Sequence, residues 1–223
     1  MYVMSKVVPA KPLLIMLYGF PGAGKTYFAR QLCENLQAVH LQSERIRAEL
    51  FENPRYDQQE NAVVAQLSDY MMAEFLGAGV SVVYDMNAMR SAQRHQLRQI
   101  ARQMHAQPLL VWLQIDTESA FARASKRDRR RADDKYAQTI DREAFTQTAG
   151  RMQNPSNTED YVVVSGKHLF GTQLSALMKR LHELKLVGTE DLTKRVVKPG
   201  LVNLVPNPAA GRVDLSRRNI IIR

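Results

Sequence analysis

Cysteine is nearly absent from the 223 residues: Cys33 is the only one. A single thiol can neither close an intramolecular disulfide nor build a cysteine-based metal site. Cys33 sits within a helical repeat of apolar residues, which reads as a buried structural thiol rather than a nucleophile. Long apolar runs are missing too, and none approaches the roughly 20 residues that a membrane span needs. The stretch from Met1 to Pro12 lacks the uninterrupted apolar segment of a secretion signal. These absences lead to the expectation of a soluble, cytoplasmic protein with no membrane partner. Acidic residues are in deficit, 22 against 31 Lys and Arg, for a formal net charge of +9. That balance suits an anionic partner, nucleic acid included, and suits a solvated basic surface equally well. Aromatic residues make up 7% of the chain, and their order along it shows no dedicated platform for nucleic acid. The hydrophobic fraction of 45% supports one sizeable core and argues against disorder.

Short β-like apolar runs alternate with longer helical stretches, the pattern of a parallel sheet covered by helices. Strands are expected at Leu13 to Tyr18, Ala38 to Leu41, Val80 to Tyr84, Leu109 to Ile115 and Tyr161 to Val164. Helices are expected over Thr26 to Leu36, Ser43 to Phe51, Gln58 to Leu76 and Ser91 to His105. Another, capped by Asp116 or Thr117, runs through Arg123, and the last two cover Asp141 to Met152 and Gly171 to Leu186. Five strands separated by helices make an α/β, doubly wound, three-layer domain over residues 1–187. Residues 188–223 are basic, contain Pro199, Pro206, Pro208, Gly200 and Gly211, and read as an extended or poorly ordered tail.

Gly19-Phe20-Pro21-Gly22-Ala23-Gly24-Lys25-Thr26 matches the Gly-x-x-x-x-Gly-Lys-[Ser/Thr] loop at every fixed position, between a buried strand and a helix. Glycines let the backbone turn so that successive amide N–H groups face one anion, and the helix N-terminus adds partial positive charge. Lys25 can bridge the β- and γ-phosphates of a nucleoside triphosphate, and the Thr26 hydroxyl can ligate Mg²⁺. Pro21, Ala23 and Tyr27 complete the expected nucleotide-contacting set. Asp85, closing the third strand, lies on the same rim of the sheet and is a candidate for the Mg²⁺ shell; it also reads as a turn or capping aspartate.

Reaction type must come from other residues. Glu44 and Arg47 are three apart after the second strand and share a helix face. The carboxylate can take a proton from an acceptor hydroxyl, and the arginine fork can hold an acceptor phosphate or carboxylate. Ser43 with these charges also reads as a capping box. On the helix after the fourth strand, Arg123 and Arg127 are four apart and so project the same way. They open the basic run Lys126 to Arg131 in a candidate lid over about residues 124–140, where arginine stabilises phosphoryl-transfer charge. A charged helix face or a nucleic-acid patch reads the same run differently.

In this order, Gly-x-x-Gly-x-Gly-Lys-Thr, Ser43-Glu44-x-x-Arg47, Val-Val-Tyr-Asp85-x-Asn87 and Arg123-x-x-x-Arg127 resemble the P-loop kinases grouped with polynucleotide 5′-kinase and zeta toxins, an AAA-type ATP-binding domain of small kinases. The resemblance spans Leu13 to Leu186. It implies a P-loop NTPase fold with sheet order 2-3-1-4-5, and ATP with Mg²⁺ as donor, GTP being the alternative. It also implies a general base at Glu44, an acceptor-binding arginine at Arg47, lid arginines at Arg123 and Arg127, and Asn87 and Arg90 near the acceptor cleft. The acceptor is a hydroxyl on a nucleic-acid end, a nucleoside or a sugar nucleotide. Polynucleotide kinases usually place Asp where this chain has Glu44, which moves the proton acceptor by about an ångström. No Asp-x-Asp-x-Thr segment, the mark of a fused phosphatase, is present. The reading from a different class is a nucleotide-binding regulatory ATPase with water as its only acceptor.

Overall fold

A computed structural model describes residues 5–195. Five strands, β1 (Leu13–Tyr18), β2 (Ala38–Gln42), β3 (Ser81–Asn87), β4 (Gln107–Gln114) and β5 (Tyr161–Ser165), pair throughout in parallel in the order β2-β3-β1-β4-β5. This is the P-loop NTPase architecture expected. All six residues of β1 are buried because it lies at the centre of the sheet with helices on both faces, which is why it reads as an unbroken apolar run. Helices α1 (Lys25–Asn35) and α7 (Phe170–Glu183) cover one face, where Leu13, Ile15 and Leu17 meet Phe28, Leu32, Leu177 and Leu181. Helices α3 (Gln58–Gly77) and α4 (Ser91–Gln103) cover the other, where Leu14, Met16 and Tyr18 meet Met72, Leu76 and Leu97. Helices α2 (Ser43–Leu50), α5 (Thr117–Ala124) and α6 (Arg142–Gly150) stand over the carboxyl ends of the strands.

Three details differ from the sequence reading, and each bears on the site. Strand β3 does not end at Asp85 but continues to Asn87. Its pairing with β1 jumps from Met16↔Tyr84 to Leu17↔Asn87, so Asp85 and Met86 form a bulge that re-aims the chain toward the loop after β1. Helix α5 stops at Ala124, with Ser125 as its C-cap. The shared helix face assumed for Arg123 and Arg127 therefore does not exist. The chain after Val187 is not extended at its start: Thr189–Arg195 forms α8, with Leu192 packed against the first core. The remainder of the expected tail, 196–223, lies outside the described residues.

Among the described residues Arg94 is the largest fully buried side chain. Its guanidinium pairs with Glu159 at 2.7 and 3.0 Å and donates to the carbonyls of Ala88 and Gln153 at 3.0 and 2.9 Å. This clamp ties the segment after β3 to the one before β5. Breaking a buried pair costs about 3–5 kcal/mol; Arg98 Nη1, 3.1 Å from Glu159 Oε2, would offset part of the lost charge, while the Ala88 and Gln153 carbonyls would lose their donor. Arg94→Ala is expected to lower the melting temperature by roughly 6–20 °C, read by thermal unfolding; a shift under 2 °C would contradict the role.

Candidate functional site

The loop 19–24 leaves β1 and enters α1 with Gly22 at φ 83° and Gly24 at φ 95°. A side chain is strained in that left-handed region, and at Gly22 space forbids it as well: a Cβ would stand 2.1 Å from the Ala120 carbonyl of α5. Gly24 caps α1 without any side-chain hydrogen bond, and the first turn carries no acid. The backbone N–H groups there remain available for an anion. Gly22→Ala should shift the loop and weaken nucleotide binding by about 5–150-fold, on the 1–3 kcal/mol scale of such strain, as read by calorimetry.

Lys25 Nζ donates to the carbonyls of Gly19 and Phe20, each at 2.9 Å, which holds the ammonium over the loop. Burial pushes its pKa down to about 8, with Asp85 opposing the shift and Arg127 adding to it. An arriving polyphosphate would oppose that shift, so the lysine is poised for anionic company. Asn87 Nδ2 donates to the Gly19 carbonyl at 3.0 Å and Ala88 N–H to the Leu17 carbonyl at 3.0 Å. The bulged end of β3 thus braces the base of the loop. Asn87, expected near the acceptor cleft, gives its amide N–H to the loop.

Asp85 is buried, and its Oδ2 lies 3.0 Å from His40 Nε2 on β2. Thr26 stands in the first turn of α1, and the side-chain carbonyl Oδ1 of Asn87 is buried without a hydrogen-bond partner. Hard oxygens in small number suit Mg²⁺, which keeps several waters and binds through one or two protein groups plus substrate phosphates. Among the described residues no cluster of three or more His, Cys, Asp or Glu forms a dedicated metal cage, as that mode of binding allows.

Glu44 and Arg47 lie on α2, as their spacing requires. Burial pushes the Glu44 carboxyl up; Arg47, the Tyr56 phenol and Arg127 pull it down, and Asp85 raises it, with burial prevailing. Its Oε2 is buried and accepts no hydrogen bond; Arg47 Nε lies 3.7 Å away as an ion-pair partner, which leaves lone-pair capacity for a proton. Arg47 is buried, and its fork is already occupied: Nη1 donates to Glu60 Oε2 at 3.3 Å and Nη2 to Asn61 Oδ1 at 2.7 Å. It is positioned to build the wall around Glu44 rather than to offer both arms to an acceptor.

The two arginines expected in a lid part company. Arg123 is exposed and donates to the Gly166 carbonyl at 2.8 Å, across to the turn after β5. Arg127, beyond the end of α5, is half-buried and faces Asp134, Glu44 and Tyr56; burial holds its pKa down against their pull. The segment 124–140, the candidate lid, is tied to α1 by Arg30 Nε to Asp133 Oδ1 at 2.8 Å, and Arg130 folds onto Asp128. Arg90 is exposed at the N-cap of α4, and it is Arg94, one turn on, that the fold uses. Pro21 and Ala23 lie in the loop, and Tyr27 is 40% exposed on α1. A cavity of about 760 Å³ opens beside Gly19 and Phe20, lined also by Trp112, Asp116 and Lys167.

Sequence reasoning missed Glu60, Tyr56 and Asn61, which surround Glu44 and Arg47. The signal for Glu60 was present: Asp57-x-x-Glu60 is a capping-box spacing, and Asp57 accepts the Glu60 N–H at 2.9 Å. Its carboxylate then turns back to the amides of Arg55 and Tyr56.

Among solved structures, an APS kinase from Mycobacterium tuberculosis in complex with AMPPNP and APS is 16% identical, with a TM-score of 0.57, covering 78% of this chain and 99% of that one. Kti12 of Chaetomium thermophilum in complex with ADP-AlF3 is 17% identical, with a TM-score of 0.58, covering 78% and 99%. A gluconokinase from Sinorhizobium meliloti 1021 is 15% identical, with a TM-score of 0.53, covering 78% and 93%. At such identities the likeness is one of fold. No curated protein matches the chain. The family model described as "AAA domain" matches residues 14–155, more than half of the sequence and the whole span from β1 to the loop before β5, and the chain belongs to that family.

Proposed function

We propose that the protein is an ATP-dependent phosphotransferase that moves the γ-phosphoryl group to an acceptor hydroxyl. The observation that carries this is the meeting of Lys25 and the loop 19–26 with Asp85 and a Glu44 carboxylate whose buried Oε2 accepts no hydrogen bond and lies 3.7 Å from the Arg47 Nε charge, on one rim of the sheet. Solved relatives of this fold hold AMPPNP or ADP-AlF3, which is consistent with a nucleoside triphosphate at the loop. When Mg²⁺ is bound, Thr26 and Asp85 would hold it, directly or through water, and it would supply charge neutralisation at the phosphates.

The chain's own groups then have separate tasks. Loop amides and the Lys25 ammonium bind the phosphate oxygens and take up charge as the terminal P–O bond breaks. Glu44 takes the acceptor proton as the acceptor oxygen bonds to phosphorus. Arg127, already facing Glu44, supplies positive charge from the lid side. Candidate acceptors are a nucleic-acid end, a nucleoside or a sugar nucleotide.

One observation favours a second reading, a regulatory ATPase with water as its only acceptor: the Arg47 fork is held by Glu60 and Asn61. Incubation with γ-labelled ATP, Mg²⁺ and cell extract, followed by mass spectrometry, separates the two. Phosphotransfer predicts a new phosphorylated metabolite or polynucleotide; release of inorganic phosphate alone selects the ATPase.

A further inference from the structure

Beyond the end of α2, residues 51–56 face the lid across a cavity of about 360 Å³. Its wall brings together the rings of Phe51, Tyr56 and Tyr136, the cations of Arg129 and Lys135, and the carboxylates of Glu44 and Glu52, with Lys135 Nζ 5.1 Å from the Tyr136 ring centroid. In the sequence these aromatics are up to 85 positions apart, which is why no platform was visible there. Tyr56 is held where a non-glycine residue rarely rests, at φ 59°. Such conformations persist when the surroundings over-determine them, and they cluster at ligand clamps. Here Glu60, 3% exposed, accepts the Tyr56 N–H at 2.8 Å and the Arg55 N–H at 2.8 and 2.9 Å. Arg47, fixed by the same Glu60, lies 4.4 Å from the Tyr56 ring centroid and backs it. The Arg47 fork, held by Glu60 and Asn61, thus stiffens the ring that lines the cavity.

We infer that this cavity takes a nucleotide-type acceptor, its base stacked among the three rings, its phosphate paired with Arg129 and Lys135, and its free hydroxyl directed to Glu44. This rests on the phosphotransfer reading above and narrows it. Aromatic side chains stack any base through its π face, and cations beside them suit a phosphate, Arg129 by its fork and Lys135 as a point charge. The volume is that of a small-molecule site, one nucleotide rather than a groove for many. A polyol or sugar acid, rich in hydroxyls, would leave the three rings without a stacking partner. In the step itself the acceptor oxygen bonds to the γ-phosphorus, its proton passes to Glu44, and the bond to the β-phosphate oxygen breaks, releasing nucleoside diphosphate.

The test titrates five probes by calorimetry into full-length protein saturated with Mg²⁺ and a nonhydrolysable ATP analogue: adenosine 3′-monophosphate, adenosine 5′-monophosphate, adenosine, gluconate and a 5′-hydroxyl oligonucleotide. At least one mononucleotide or the oligonucleotide should bind tenfold or more tightly than adenosine and gluconate. Tyr136→Ala and Arg129→Ala should each weaken it by about 5–100-fold, while Tyr136→Phe, which keeps the ring, restores it; circular dichroism verifies that each variant is folded. Gluconate preferred over every nucleotide probe, or nucleotide binding indifferent to both alanine variants, would overturn the inference. The oligonucleotide arm reports the source: tighter binding than the mononucleotide assigns a nucleic-acid end, equal or weaker binding a free nucleotide. Labelled-ATP transfer run beside it separates the two readings. Nucleotide binding with these dependences but no transfer sinks phosphotransfer and keeps the site, whereas transfer confined to non-nucleotide hydroxyls keeps phosphotransfer and sinks the site.

Discussion

Lys25→Ala is expected to weaken ATP·Mg²⁺ binding by about 10²–10³-fold, and turnover at least as much. The ammonium sits over the loop on two carbonyls at 2.9 Å, and burial has already pushed its pKa down to about 8. A charge held in so enclosed a place meets a phosphate with little water between, and deleting one partner of such a pair costs about 2–5 kcal/mol, a factor of ten for each 1.4 kcal/mol. The fold should survive, because the Gly19 carbonyl keeps its bond from Asn87 and the loop keeps its packing against α5. Calorimetry reads the affinity. An affinity within threefold of the wild type would mean that the phosphates bind elsewhere.

Glu44→Gln should do the reverse: ATP binding persists while transfer falls about 10²–10⁴-fold, the usual worth of a positioned general base. Glu44→Asp keeps the charge but withdraws it by about an ångström, and misplacement on that scale costs about 10²-fold. The pH profile carries the same assignment. Glu44 acts as a base only when ionised, and burial raises its pKa, so activity should be lost as pH falls through a value above the ordinary glutamate range. Around it stand Arg47 on α2, Tyr56 on the following loop, Arg127 beyond α5 and Asp85 on β3. Since Arg127 pulls the pKa down, Arg127→Met should move the acid limb of the rate profile to higher pH. A limb that stays put, or an acid limb unaffected by Glu44→Gln, would remove Glu44 from the role.

How much of this was legible in the sequence depends on the distance over which each feature is built. The loop 19–26 was legible because its glycines and lysine answer to local backbone geometry, and β1 because central burial leaves an unbroken apolar run. The strand order came from resemblance. The bulge at Asp85 was not legible, since it depends on how β3 registers against β1. Nor was the end of α5, where no proline or glycine marks the stop and a helix face was extended to Arg127. Arg94 and Glu159 are 65 residues apart, and neither carries a sign that the other is its partner. Arg47 was read correctly as lying on one face with Glu44, but its occupation by Glu60 and Asn61 required the packing of α2 on α3.

The central claim is that main-chain amides between Gly19 and Thr26 enclose a polyphosphate. Amide-resolved NMR of the protein titrated with ADP and Mg²⁺ tests it most directly. The largest shifts should fall on Gly22, Gly24, Lys25 and Thr26, displaced as N–H groups take up phosphate oxygens, with Ala23, whose N–H donates to the Phe20 carbonyl at 3.0 Å, moving less. Saturable binding that leaves those four amides unmoved, or no binding at all at millimolar ADP, would contradict it.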